Sequence, residues 1–246
     1  MLPQFEFACL TYHVIGDSED QYAVSEKQLR DHLRFLKTEG FIVEGFEQLH
    51  ARLLSDQEWP ARYAVFTLDD GHESSMRAAD LLMEYKCQAT FFVTRNRSQQ
   101  KAGFIREPQI RELRRRGFSL GTHGTTHRKL TSMSEESCIE ELEGSKQWLE
   151  QTLGEPVCSM GAPGGFINAR VFKLAKRLGY VLVGTCHERM NSPRTMVLPG
   201  LVNRVNVRRH FSLGHFRDIV YGSSPFYLWR QLRSAALAIP KELMRG

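Results

Sequence analysis

Short apolar segments alternate with amphipathic segments along most of the chain, and this alternation restricts the possible folds more than any other feature. The apolar segments are short, as is typical of strands, and lie at 7–12, 41–43, 64–68, 89–94, 118–121, 157–161 and 180–184. Helical patterns between them cover about 25–39, 46–54, 74–85, 107–116, 134–153 and 169–178. Repeated strand–helix units predict parallel strands covered by helices, in a barrel or in an open sheet.

A chain of 246 residues without a linker-like segment predicts one large domain, here residues 1–222. Residues 223–246 predict a basic amphipathic helix that packs on this domain or lies on an anionic membrane surface. No segment approaches the roughly 20 apolar residues that span a bilayer. Residues 1–7 lack the basic and apolar regions of a secretory signal, so we expect a cytoplasmic protein, either soluble or peripheral to the inner membrane.

Charge and cysteine content narrow the functional classes. The net charge of +5 is spread along the chain without a recognisable nucleic-acid module, which argues against nucleic-acid binding. The five cysteines are dispersed, so we expect reduced, mostly buried thiols without a metal role. The sequence leaves the oligomeric state open.

Two neighbouring carboxylates and a spaced pair of histidines follow predicted strands. Asp69 and Asp70 come directly after strand 64–68, where neighbouring side chains point to opposite sides and can have different roles. His123 and His127 are four positions apart, close to one helical turn, so that both can face one point. On its own, the aspartate pair also fits a turn, and the histidine pair also fits a solvated or core-packed position on a helix. In a barrel, however, catalytic groups gather at the C-terminal ends of the strands.

These four side chains together indicate metal-assisted hydrolysis. One carboxylate and two neutral imidazoles suit a zinc-like divalent cation and leave positions open for water and substrate. The second carboxylate remains free to act as a base on the water.

The same segments resemble the polysaccharide deacetylases of carbohydrate esterase family 4, the NodB homology domain, over about residues 8–220. Thr67-Leu68-Asp69-Asp70-Gly71 is similar to the family's Thr-Phe-Asp-Asp-Gly, and His123-Gly124-Thr125-Thr126-His127 to its His-Ser/Thr-x-x-His. Segments 89–93 and 141–154 are also similar to the family. The resemblance implies a distorted (β/α) barrel of about seven parallel strands that removes an N-acetyl, less often an O-acetyl, group from a sugar.

The resemblance also assigns roles to individual residues. It implies Asp69 as the general base and Asp70, His123 and His127 as ligands of a divalent metal, Zn²⁺ first and Co²⁺ or Ni²⁺ as alternatives. The third family motif, Arg-x-Pro-x-Gly, here reads Gly161-Ala162-Pro163-Gly164-Gly165 and so lacks its arginine.

Other residues are expected to fill the roles that this loss leaves open. We expect Arg204 to pair with Asp69 instead, the alternative being a surface arginine beside a strand. Pro163 and Gly164 are expected to shape the pocket, with the Gly164 N–H stabilising the oxyanion.

The general acid is expected at the start of the chain. Usual members carry a C-terminal Leu-x-His motif, and His215 does not provide a convincing copy because its surroundings predict a surface helix. Leu10-Thr11-Tyr12-His13 instead resembles the permuted order of the poly-N-acetylglucosamine de-N-acetylases, which implies His13 as the acid. Its alternative role is to cap the first strand. His72 is expected near the pocket mouth, in contact with the substrate.

The sequence thus predicts a metal-dependent hydrolase that removes N-acetyl groups from an acetylated sugar, a saccharide intermediate of exopolysaccharide or cell-envelope glycan biosynthesis. Three alternatives stay open. They are a small-molecule amidohydrolase on the same barrel, a catalytically impaired sugar-binding module, and a cation-dependent structural protein.

Overall fold

The predicted alternation of strands and helices is present in the computed structural model, which describes residues 6–55, 58–193, 200–222 and 227. The strands are β1 (Ala8–Tyr12), β2 (Val14–Ile15), β3 (Ala23–Val24), β4 (Ile42–Glu44), β5 (Tyr63–Leu68), β6 (Thr90–Val93), β7 (Ser119–Thr122), β8 (Ser159–Gly161), β9 (Leu182–Gly184), β10 (Leu201–Val202) and β11 (Val205–Asn206). The α-helices are α1 (Glu26–Thr38), α2 (Phe46–Leu54), α3 (Ser75–Glu84), α4 (Arg95–Gln100), α5 (Glu107–Arg115), α6 (Glu135–Leu153), α7 (Ala169–Arg177) and α8 (Leu213–Tyr221).

Local sequence explains the longer helices. Ser25 caps α1 by accepting a hydrogen bond from the Gln28 N–H at 3.2 Å, and the Gln28 side chain accepts one from the Ser25 N–H at 3.1 Å. This reciprocal pair satisfies two backbone donors that the first helical turn leaves open. Ser134 caps α6 in the same position, and Gly154 ends that helix in the left-handed conformation that glycine adopts at little cost. The bounds of the six predicted helices agree with those of α1, α2, α3, α5, α6 and α7 to within one or two residues.

One sheet of parallel strands forms the centre of the domain. Its order is β10-β9-β8-β7-β6-β5-β1-β11, and β4 pairs with the first half of β5. The sheet is curled and surrounded by helices, which confirms the predicted distorted (β/α) barrel. The sheet has nine strands within the described ranges instead of about seven, because β10 and β11 contain only two residues each and leave no pattern in the sequence.

The two ends of this sheet are close neighbours in sequence. Only Asn203 and Arg204 separate β10 from β11, although these strands lie at opposite ends of the strand order. Three residue steps span at most roughly 11 Å, so the sheet must curl until its edges nearly meet. Arg204 therefore lies at the seam of the barrel.

Strand register brings the predicted site residues to one edge. In the β1–β5 pair Tyr12 lies opposite Leu68, so His13 and Asp69 leave the sheet side by side. The β5–β6 and β6–β7 pairs continue the same edge to Thr122, which precedes His123. This edge is formed by the C-terminal strand ends, as predicted.

The tail prediction falls largely outside the described residues. Residues 223–226 and 228–246 are not described, so the expected amphipathic helix stays a prediction. The Tyr227 hydroxyl donates a hydrogen bond to the Ile219 carbonyl at 3.1 Å. Within the described part of the chain, no helix combines the length and apolar character that crossing a bilayer requires.

Candidate active site

Side chains from the C-terminal strand ends line a pocket of about 240 Å³. Its lining residues are His13, Tyr22, Asp69, Asp70, His123, His127, Gly164, Gly165, Cys186 and Asn206. Six of the nine predicted site residues therefore lie in the lining, and Arg204 supports it from behind. Tyr22, Gly165, Cys186 and Asn206 were not predicted as site residues. Gly165 ends the third-motif segment, and the other three belong to no recognised motif.

Asp70, His123 and His127 converge on one point. Asp70 Oδ1 lies 3.0 Å from His127 Nε2 and 3.4 Å from His123 Nε2. One potential ligand atom from each residue lies within 4.8 Å of the other two, and no other such trio occurs in the described ranges. The distances suit three donors around a single divalent cation.

The protonation states of these donors also fit a cation. His123 Nδ1 bonds to the Gly161 carbonyl oxygen at 2.8 Å, and because a carbonyl only accepts, Nδ1 carries the proton. The Nε2 lone pair therefore faces Asp70, as in a metal ligand whose other nitrogen is held by a backbone group. Burial lowers the pKa of His123 to about 4, so its ring is neutral at neutral pH.

Asp70 is ionised over the whole physiological range. Burial alone would raise its pKa, but the close contact with His127 and the coulombic effects of His123 and Arg97 outweigh burial and lower the pKa far below its ordinary value. Arg97 Nη1, from α4, lies 2.6 Å from Asp70 Oδ1 without the angles of a hydrogen bond, and this oxygen has no hydrogen-bond partner among the described residues. A buried carboxylate oxygen without a hydrogen-bond donor is suited to bind a cation.

The backbone of the candidate metal site differs from the expected helical turn, so that part of the prediction was wrong. Residues 123–127 form a loop after β7, and His127 has a left-handed backbone with φ of 65°. Asp70 is also left-handed, with φ of 78°. Such conformations cost a non-glycine residue about 1 kcal/mol or more and persist where surrounding contacts enforce them. The histidines converge because of this loop, not because of helical spacing.

Asp69 is held by Arg204 in a fully buried ion pair. Arg204 is 0% exposed and Asp69 2% exposed, which excludes the alternative of a surface arginine. Nη1 donates to Asp69 Oδ1 at 2.7 Å and Nη2 to Oδ2 at 2.9 Å. Burial would raise the pKa of Asp69, but the charges of Arg204 and His123 lower it below its ordinary value. Asp69 is therefore ionised and fixed in orientation.

His13 lies in the same pocket, beyond the end of β1. Its ring stacks on Tyr22 with a centroid distance of 4.9 Å and an angle of 29° between the planes. His13 Nδ1 is buried and has no hydrogen-bond partner among the described residues. Tyr22 comes from the segment between β2 and β3, which the sequence pattern did not predict to fold over this edge.

Pro163, Gly164 and His72 occupy different positions relative to the pocket. Gly164 lines it, in a short 3₁₀ turn with φ of 65°. Pro163 is buried beneath the histidine loop. His72 is not among the lining residues. It lies in a neighbouring groove formed with residues 14–20, and its Nδ1 is 2.9 Å from the Ser74 hydroxyl.

A family model described as "Polysaccharide deacetylase" matches residues 56–183, just over half of the chain. The chain belongs to the polysaccharide deacetylase family. This result confirms the resemblance drawn from the motifs around Asp69 and His123.

Individual relatives agree with this membership. A peptidoglycan-N-acetylglucosamine deacetylase from Bacillus cereus is 32% identical over 145 residues, which cover 58% of this chain and 64% of the relative. A second curated relative, YxkH from Bacillus subtilis, is 24% identical and matches over 70% of this chain and 61% of its own length. The chain thus spans less than two thirds of the length of either relative.

Solved structures share the fold. The deacetylase PplD from Streptococcus pyogenes superposes with a TM-score of 0.79 at 24% identity, covering 88% of this chain and 98% of PplD. IcaB from Ammonifex degensii gives a TM-score of 0.77 at 21% identity, covering 90% and 99%.

In this member of the polysaccharide deacetylase family, the glycine at the position of the third-motif arginine has a structural reason. A Cβ at Gly161 would lie 3.2 Å from Arg204 Nη1 and 3.0 Å from the Phe92 ring, and a Cβ at Gly184 would lie 2.7 Å from Arg204 Nε. Two glycines therefore make room for the guanidinium. An arginine side chain at 161 would have to enter space that Arg204 fills from the barrel seam.

Proposed function

We propose that this chain is a metal-dependent de-N-acetylase acting on an N-acetylated saccharide. Its main support is a cluster of Asp70, His123 and His127 that fits a divalent cation, beside a separate ionised carboxylate, Asp69, in one pocket. A pure binding module does not need a base next to a metal site. Family membership favours sugar amides over unrelated small amides.

The metal would be held by Asp70 Oδ1 and by one ring nitrogen of each histidine. One carboxylate and two imidazoles suit Zn²⁺, and also Co²⁺ or Ni²⁺. When bound, such an ion supplies Lewis acidity, which polarises the acetyl carbonyl and acidifies water. The rest of the reaction depends on side chains of the chain itself.

Asp69 would take the proton from the attacking water. Arg204 occupies one lone-pair direction on each Asp69 oxygen, which leaves others for the water, since a carboxylate offers about four acceptor sites. The low pKa of Asp69 keeps it deprotonated whenever substrate arrives. Arg204 is thus a positioning residue that holds the base in one orientation.

His13 would donate a proton to the leaving nitrogen. An amide nitrogen leaves poorly unless it is protonated, so a second proton-transfer group is required on the substrate side of the pocket. His13 lines the pocket together with Asp69 and the metal cluster, and Tyr22 holds its ring by stacking. Gly164 would complete the wall near the oxyanion.

The proposed substrate is an N-acetylglucosamine-containing glycan intermediate of the cell envelope or of an exopolysaccharide. The name of the Bacillus cereus relative specifies peptidoglycan N-acetylglucosamine. The pocket volume of about 240 Å³ lies just below the range of typical ligand sites and suits roughly one sugar ring with its acetamido group.

Acetate release from N-acetylglucosamine oligomers by zinc-loaded protein tests the proposal, with a panel of small amides for comparison. Asp69→Asn should lower turnover by about 10²–10⁴ while the metal stays bound, and His13→Gln should lower it by a comparable factor. His215→Gln is the matched control, because His215 is exposed on α8 and lies outside the pocket.

Three results would contradict the proposal. Hydrolysis confined to small amides would indicate an amidohydrolase of another specificity. Oligomer binding without acetate release would indicate an impaired sugar-binding module. Full activity of Asp69→Asn would remove the assigned base.

A further inference from the structure

The loop between His123 and His127 is held on one side by hydrogen bonds from α4. The Arg95 N–H donates to the Gly124 carbonyl at 3.2 Å, and the Asn96 N–H donates to the Thr125 carbonyl at 2.9 Å. These two donors belong to the first turn of α4, where backbone N–H groups have no partner inside the helix. The carbonyl groups of the loop are therefore satisfied by a neighbouring helix.

A buried carboxylate fastens the opposite side. Glu141, on α6, is 5% exposed. Its Oε1 accepts from the Thr126 N–H at 2.6 Å, and the Thr126 hydroxyl lies 3.1 Å from Oε1 and 3.0 Å from Oε2. The Thr125 hydroxyl donates to the Glu141 backbone carbonyl at 3.0 Å. Both threonines between the histidines are thus tied to one residue of α6.

Glu141 also fills the space beneath the loop. A Cβ at Gly124, where φ is 75°, would lie 2.8 Å from Glu141 Oε1 and 3.2 Å from Pro163 Cγ. The carboxylate therefore packs against the loop backbone as well as bonding to it. The bond from the Thr126 N–H to Glu141 Oε1 is short, at 2.6 Å, since N–H···O bonds in proteins span about 2.7–3.2 Å.

We propose that Glu141 is a positioning residue for metal binding, one that holds the 124–126 loop so that His127 faces Asp70. This inference rests on the metal site of the proposed function. His127 follows Thr126 directly and has a left-handed backbone, which neighbouring contacts must stabilise. Without the carboxylate, the Thr126 N–H loses its acceptor and the loop can relax to ordinary backbone angles. His127 then turns away from Asp70, and the cation keeps two of its three protein ligands.

Metal affinity of the folded, metal-free protein tests this role. Zn²⁺ would be titrated against a chromophoric chelator, and Co²⁺ absorption would report the ligand geometry. Glu141→Ala should weaken Zn²⁺ binding by about 10- to 100-fold and change the Co²⁺ spectrum, as loss of a group that orients a metal ligand does. Glu141→Gln should recover most of the affinity, because its amide oxygen can accept from the Thr126 N–H.

The chain offers matched controls. Glu143 is exposed on the same helix, so Glu143→Gln should bind Zn²⁺ like the wild type. Thr126→Val keeps the shape of the side chain without its hydroxyl donor, and we expect a weakening of about threefold or more, whereas Thr126→Ser should stay close to the wild type. Thr126 is largely exposed, so this pair tests the contact even if Glu141→Ala folds poorly.

The outcomes separate the two proposals. Wild-type Zn²⁺ affinity and an unchanged Co²⁺ spectrum in Glu141→Ala would overturn the positioning role while leaving the metal site intact. Equal Zn²⁺ affinities of Thr126→Val and Thr126→Ser would also overturn the positioning role. Absence of stoichiometric Zn²⁺ binding by the wild type would overturn the metal site, and the positioning role with it.

Discussion

Replacement of Arg204 by methionine is expected to destabilise the protein and to raise the pKa of Asp69. Methionine keeps much of the length of the side chain and removes its charge and donors. In the wild type the guanidinium donates to both Asp69 oxygens, to the Thr185 carbonyl at 3.0 Å and to the Thr67 hydroxyl at 3.2 Å. The variant loses all four bonds at once.

The size of the effect follows from burial. Arg204 and Asp69 are 0% and 2% exposed, so the variant would leave a charged carboxylate in the interior without a partner. Breaking a buried ion pair in this way costs about 3–5 kcal/mol. Asp69→Asn combined with Arg204→Met removes both charges, so we expect the double variant to lose at least about 2 kcal/mol less than the sum of the single losses.

Urea unfolding of the four proteins, wild type, two single variants and the double variant, measures this coupling energy. The pH dependence gives a second signature. In the wild type the lowered pKa of Asp69 makes the pair stabilising above the ordinary carboxyl pKa, and this contribution is lost only as the pH falls through the lowered value. In Arg204→Met the largest charge that opposes burial is gone, so the pKa of Asp69 should rise and the stability gap to the wild type should narrow as the pH falls from about 7.5 to about 5.

A coupling energy below about 0.5 kcal/mol would refute this reasoning, because two independent sites behave additively within that margin. A stability gap that stays constant over the same pH range would contradict the assigned cause of the pKa shift. Loss of the proposed deacetylase activity alone would not decide the question, since it also follows from a displaced base.

Three further predictions concern other parts of the molecule. Burial lowers the pKa of His32 from 6.5 to about 4. Acidification from about pH 7.5 to about pH 5 should therefore lower the unfolding free energy of the wild type by about 2 kcal/mol more than that of His32→Phe. Equal losses in urea titrations of the two proteins would contradict this prediction. Gly184→Ala should displace Arg204, lower stability by about 1–3 kcal/mol through overpacking and lower activity. The control Gly214→Ala, at an exposed position of α8, should leave stability unchanged. Equal melting temperatures of the two variants would exclude steric crowding of Arg204 at position 184. Chelation of the metal should lower the melting temperature of the wild type by several degrees and leave His123→Ala unchanged, and an unshifted wild type would count against a bound ion.

Much of the fold could be predicted because its elements carry local signals. Ser25 and Gln28 form a capping box before a regular apolar stripe, and Gly154 stands at the stop of α6. The strands β5 and β7 precede the motif residues Asp69 and His123, so the edge that carries the site was predictable from the strand–helix order. The short strands β10 and β11 were not, because two residues carry no periodicity.

The supporting contacts of the site were less accessible to sequence reasoning. Arg204 could be proposed as a partner of Asp69, but its burial depends on the barrel seam and on space at Gly161 and Gly184, which are distant in sequence. The His123–His127 spacing predicted convergence correctly and attributed it to the wrong backbone conformation. Tyr22 comes from the segment between β2 and β3, which carries no motif, so only the folded structure places it against the pocket.

The most direct test of the central claim is acetate release from N-acetylglucosamine oligomers by metal-free protein as Zn²⁺ is added in steps. The Asp70–His123–His127 cluster predicts no release without metal and a rise that levels off at one equivalent of Zn²⁺ per chain. Release that is independent of added metal, or its absence at every Zn²⁺ concentration while the chain stays folded, would contradict the account.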